Sequence, residues 1–209
     1  GVFMTKLFKL LYVVAGLALI ALPAQAHEKG DWLLRVGGGA VNPDSDNSEI
    51  VSVDDGVSVV FNGSYFFTPN VAVEVLAALP FSHDIELLGG GGKVGETKHL
   101  PPTVSVQYHF DLGGAFRPYV GAGVNYTIFF DEDTTGALEG ANLDLDASFG
   151  VAAQVGADID VSDRMFLNFD IRWIDIETEA TVSADGSPDL VFDVDIDPMV
   201  YSLTLGWKF

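Results

Sequence analysis

The chain has 209 residues, a formal charge of −20, 48% hydrophobic residues, only 19% charged ones and no cysteine. That length suits one domain; the acidity argues against nucleic acid as a partner, since phosphate binding wants clustered Lys and Arg, and the lack of cysteine removes disulfides and thiolate metal sites. An exported chain of this kind must be stabilised some other way, and a closed β-barrel does so by hydrogen-bonding every strand to two neighbours.

Lys6 and Lys9 precede an uncharged apolar run, Leu10 to Leu22, which ends in Pro23-Ala24-Gln25-Ala26. The pattern predicts a signal peptide over residues 1–26 with an A-x-A cleavage site, so that the mature chain begins at His27. The run is too short for a membrane anchor helix, which takes about 20 apolar residues. No later apolar segment approaches that length, and strand signals dominate instead.

Trp32 to Val41 reads as the first strand. Val57, Val59, Phe61, Gly63, Tyr65 and Phe67 alternate with Ser58, Val60, Asn62, Ser64 and Phe66; after the turn Thr68-Pro69-Asn70, Val71, Val73 and Val75 alternate with Ala72, Glu74 and Leu76. Val104 to Phe110 and Val120 to Ile128 repeat the period around a short connection, as do Val151 to Asp160 and Leu167 to Trp173 around Ser162-Asp163-Arg164. Tyr201, Leu203, Leu205, Trp207 and Phe209 close the series. Short turns alternate with long acidic loops at 43–56, 81–98, 130–146 and 180–190. This predicts an eight-stranded antiparallel transmembrane β-barrel with long extracellular loops, short periplasmic turns and both termini on the periplasmic side.

A soluble barrel would also alternate, but it would turn its bulky apolar side chains inward. Here one face carries the aromatics and long aliphatics, and the other is mostly Gly, Ser, Asn, Asp and Ala, which could not fill a soluble core. The bulky face therefore meets lipid and the small face lines the lumen. Parity then places Arg35, Glu74, His109, Arg117, Asp158, Asp170, Arg172 and Lys208 inside, where opposite charges should pair as a plug in the lower lumen. Higher up, the same parity turns Leu76, Phe129, Ile174, Ile176, Phe192, Val194, Ile196 and Val200 inward. They form either an apolar chamber open to the outside or simply the packing of the barrel's top. Pro80, Pro101 and Pro102 flank the loop after the third strand; having no N–H, they either interrupt the ladder as a lateral gate or merely start the fourth strand.

At these residues the sequence resembles the OmpW/AlkL/OprG family of small outer-membrane barrels. The resemblance is carried by Val73-Glu74-Val75-Leu76-Ala77-Ala78-Leu79-Pro80-Phe81, Lys98-His99-Leu100-Pro101-Pro102-Thr103, Arg117 to Thr127 followed by Phe129-Phe130-Asp131, and Asp197-Pro198 to Phe209. It implies passive uptake of small, mostly hydrophobic molecules across the lipopolysaccharide leaflet, with lateral exit through the wall, and it makes Leu76 the match of a leucine that narrows the apolar channel. Arg172-Trp173 departs from the Trp-Tyr common in relatives, and an inward arginine there would suit a more polar or anionic solute. Phe209 looks like the C-terminal aromatic signal read by the outer-membrane assembly machinery. The implied surroundings are outer-membrane lipid and lipopolysaccharide, and no cofactor or metal site is expected.

Two other classes compete. A lipid A-modifying enzyme would need a nucleophile held by a base, for which Ser82-His83 beside Asp84 is the candidate. A structural or adhesive barrel would show long, apolar, strand-rich loops, whereas these are acidic and Gly-rich. Their carboxylates (Asp44, Asp46, Asp54, Asp55; Asp131, Glu132, Asp133) lack the spacing of a calcium loop and read as a solvated face.

Overall fold

The computed structural model describes residues 27–43, 50–88, 91–184, 186 and 188–209. The expected signal peptide lies outside them, as do Asp44 and Asp46. The strands are β1 (Trp32–Asn42), β2 (Val51–Val53), β3 (Gly56–Phe66), β4 (Val71–Ala78), β5 (Phe81–Leu87), β6 (Gly92–Leu100), β7 (Thr103–His109), β8 (Phe116–Thr134), β9 (Asn142–Leu145), β10 (Ser148–Asp160), β11 (Met165–Ile174), β12 (Glu177–Ser183), β13 (Leu190–Asp195) and β14 (Met199–Lys208).

Eight of them close a barrel, each antiparallel to two neighbours, in the order β1-β3-β4-β7-β8-β10-β11-β14. Closure comes from β14 against β1, where Leu33 opposes Lys208 and Asn42 opposes Met199. Burial alternates along every barrel strand, and the exposed side is apolar: Phe61, Val75, Val106, Val124, Val155 and Leu203 all point outward. Such a belt would be an aggregation hazard in water and is what a hydrocarbon layer solvates. Trp32 packs 5.0 Å from Tyr65, and Tyr108 5.1 Å from Phe110, both at the end where the chain termini lie. Aromatic pairs at this level form an interfacial girdle.

The long acidic loops contain strands of their own. β2, β5, β6, the upper half of β8, β9, β12 and β13 carry the wall upward as two strand layers, β2-β5-β6-β8 and β9-β12-β13. Their outward residues are polar, as with Ser82, Asp84 and Glu86 on β5 and Glu177 and Glu179 on β12, so these layers stand above the hydrocarbon. The inward residues are mostly apolar, joined by His83, Thr97, His99 and Thr178. Both faces of this extension thus differ from those of the lipid-embedded wall.

The lumen is narrow enough to demand glycine in places. A Cβ on Gly123 would fall 2.6 Å from the Cα of Ser105 on the neighbouring strand β7, so this close backbone approach requires a position without a side chain.

Candidate functional site

Reading the inward residues from the periplasmic end upward gives three layers. The lowest is a small apolar floor of Leu33, Phe66, Ala72 and Phe166, all buried, with the His27 ring stacked on Phe66 at 4.2 Å. Arg35 sits above it, its Cζ 5.4 Å from the Phe166 ring and 5.6 Å from that of Tyr119.

The middle layer is a continuous polar network. The Arg35 guanidinium donates to both oxygens of Asp158, at 3.3 Å and 3.0 Å, and to Glu74 at 3.3 Å. Arg172 pairs with the other oxygen of Glu74 at 2.5 Å, lies 3.5 Å from Asp170 and donates to Gln154. Tyr119 donates to Asp170, Asn168 donates to Asp158 and to the Tyr119 oxygen, and Gln107 donates to Glu74 at 2.8 Å. All these side chains are buried. Charges in a lumen too narrow for bulk water persist only when paired in this way, because the uncompensated ion has no solvent to return to.

Of the plug residues expected from parity, Arg35, Glu74, Asp158, Asp170 and Arg172 meet in one network. His109 joins through its ring Nε2, 3.1 Å from Gln107. Arg117 pairs with Asp160, and Lys208 reaches Asp31 at 2.8 Å on the periplasmic rim, so Lys208 stands outside the network. Tyr119 and Asn168 hold the plug together yet were missed. Tyr119 lies just before the Val120 alternation, beside Pro118, and Asn168 was visible only as a small polar residue facing inward.

The top layer is apolar. Leu76, Phe129, Ile174, Ile176, Val194, Ile196 and Val200 are buried in one cluster with Val41, Val60, Phe81, Ile85 and Val94; Phe192 packs against it. Leu76 is two residues above Glu74 on the same face and so marks the border between charge and hydrocarbon-like lining. Among Val53, His83, Ile85, Phe129, Leu145 and Val194 this layer leaves a cavity of about 40 Å³.

His83 and His99 stack at 4.8 Å beside this cavity, in the extension above the membrane. Burial lowers the pKa of both, His99 to about 3, so they line the cavity as neutral rings. Ser82 and Asp84 project from the opposite face of β5 to His83, which separates the members of the only nucleophile–base pair suggested by the sequence.

Beside the cluster the wall is incomplete. Pairing of β4 with β7 ends at Leu76 opposite Thr103 and resumes as β5 with β6 at Phe81 opposite His99. Between them, residues 77–80 face 100–102. The Leu79 N–H turns away to Val59 on β3, and the Pro102 carbonyl turns away to accept from Tyr126 on β8. Successive residues of a strand alternate sides, so Pro101 faces the break. Its carbonyl accepts from the Thr103 hydroxyl at 3.0 Å, within its own strand, and it has no N–H to offer.

Known proteins resemble this chain in sequence and fold. The OmpW family model matches residues 28–209. Outer membrane protein W of Vibrio cholerae is 42% identical over 94% of this chain and 98% of its own. Outer membrane protein AlkL of Ectopseudomonas oleovorans is 33% identical over 88% of this chain and 76% of its own. The crystal structure of the outer membrane protein OprG from Pseudomonas aeruginosa superposes with a TM-score of 0.81 at 36% identity, covering 88% of this chain and 98% of that one. Sequence and fold agree: the chain is an outer-membrane β-barrel that belongs to the OmpW family.

Proposed function

We propose that the protein conducts small hydrophobic molecules passively from the cell exterior into the outer membrane, entering through the apolar top layer and leaving sideways between β4 and β7. The observation that carries this reading is the position of the ladder break. It opens at the level of Leu76, directly above a closed floor of ion pairs and beside the apolar cluster. A solute that has reached the cluster faces buried charge below and lipid to the side, and for an apolar molecule lipid is the favourable direction, by about 25 cal/mol for each Å² kept from water. The relatives named above are outer-membrane proteins, and the separated Ser82 and His83 give no support to an enzyme. Arg172, which alone suggested a polar or anionic solute, has its charge matched by Glu74 and Asp170 and belongs to the plug rather than the chamber.

The test is uptake into lipid vesicles carrying the purified protein. An apolar fluorescent aromatic presented from the outside is expected to enter several-fold faster than into empty vesicles, while a sulfonated analogue of the same size gains nothing. Equal acceleration of both, or of neither, would reject the reading.

A further inference from the structure

His27 and His109 meet at the foot of the plug in an arrangement that channel function does not use. Their rings lie 5.3 Å apart between centroids, nearly perpendicular at 85°, and both are buried. Both ring nitrogens of His27 and Nδ1 of His109 have no hydrogen-bond partner among the described residues, so three bare imidazole nitrogens meet at one place in the lumen. Buried imidazole nitrogens without partners are uncommon and call for an explanation.

The surrounding hydrogen bonds fix which His109 nitrogen is bare. Gln107 spends its amide N–H on Glu74, which leaves its carbonyl oxygen pointing at His109. His109 Nε2 must therefore carry the proton and donate, and Nδ1 keeps its lone pair. Orientation of a ligating imidazole through its distal N–H is how metal sites select one tautomer. Asp158 completes the group: its Oδ2 is 3.9 Å from His109 Nδ1, and one donor atom each from His27, His109 and Asp158 fall within 4.8 Å of one another.

We propose that His27, His109 and Asp158 form a transition-metal site at the periplasmic foot of the barrel, selective for borderline ions such as Cu(II) and Zn(II). Two donors bound at about 2.0–2.1 Å to one ion are at most about 4 Å apart, so the site closes by roughly 1 Å when loaded. Arg35, Arg117 and Lys208 bring positive charge to the same pocket, while Asp158 is already paired with Arg35 and Asp31, 3.9 Å from His27 Nδ1, is paired with Lys208. An ion is thus held by nitrogen lone pairs rather than by excess negative charge, which disfavours Ca(II) and Mg(II) and ranks Cu(II) above Zn(II). Processing immediately before His27 would add its α-amine as a further nitrogen donor. The site ties the segment ahead of β1 to β7 and β10, and so would lock the floor shut from below.

The experiment is a Cu(II) titration of the processed protein purified from outer membranes in detergent, read by electron paramagnetic resonance and by tryptophan quenching. About one equivalent is expected to bind with splitting from at least two nitrogens. His27→Ala and His109→Ala should each weaken binding at least tenfold, while the double variant His83→Ala/His99→Ala, which removes the other stacked pair, should bind as the parent does. His27 precedes the first strand, so His27→Ala keeps the test informative if the lumen variant fails to fold. Binding that survives both His27→Ala and His109→Ala, binding lost with His83 and His99, or no binding by the parent would overturn the proposal.

Discussion

Replacing Arg172 with leucine is expected to lower the unfolding free energy of the barrel by about 3–5 kcal/mol, measured by urea titration in micelles or thin vesicles, because it strands buried carboxylates. With the arginine gone, Glu74 and Asp170 would lose a guanidinium paired with them, in a lumen from which their side chains cannot reach water. The second substitution Glu74→Leu should then restore part of the loss. Glu74 is the carboxylate that Arg172 contacts at 2.5 Å, and groups sharing such a network couple by about 0.5–3 kcal/mol. Additive losses in the double variant would mean that the two residues act as separate packing elements and that the plug is not an electrostatic unit.

The second expected result concerns the wall. Replacing Pro80 and Pro101 together with valine should slow uptake of the apolar probe about tenfold, whereas Pro102→Val should leave the rate within twofold. The reasoning rests on where each backbone group points. Pro102 already gives its carbonyl to Tyr126 on β8, so a new N–H there adds nothing to the β4–β7 seam. Pro101 faces the break and Pro80 flanks it, and an N–H at each lets the ladder zip upward from Leu76 and Thr103 towards Phe81 and His99. Two net hydrogen bonds of about 0.5–1.5 kcal/mol each shift an open–closed equilibrium by about fivefold to more than a hundredfold, with tenfold inside that range. If all three prolines prove equivalent, or none matters, the break is a strand start and not an exit.

Much of this architecture was legible before any coordinates, because a strand's side chains alternate and the alternation in Val57–Phe67 or Tyr201–Phe209 survives without knowledge of partners. Parity alone put Arg35, Glu74, Asp158 and Arg172 in the lumen. What it could not supply was height. Whether Lys208 reaches the plug or ends at Asp31 on the rim depends on the stagger between β14 and β1, which is a property of closure rather than of either segment. The choice between a chamber and a packed top stayed open for a related reason. Residues that line a cavity and residues that fill it are chemically the same, and only the three-dimensional packing leaves about 40 Å³ among Ile85, Leu145, Phe192 and Val194. His27 was invisible as a site residue because it precedes the first strand and has no periodicity to orient it. Its place was set by Gly30, whose φ of +101° turns the segment and whose N–H binds the Phe66 carbonyl.

The central claim is that apolar solutes pass while the floor stays shut. One preparation decides it: proteoliposomes fused to a planar bilayer, with ion conductance recorded at the protein density that accelerates uptake of the apolar probe. Fast uptake is expected with no steady conductance above that of the bare bilayer. A sustained ohmic current at that density would contradict it, because ions would then be crossing the layer of Arg35, Glu74, Asp158 and Arg172.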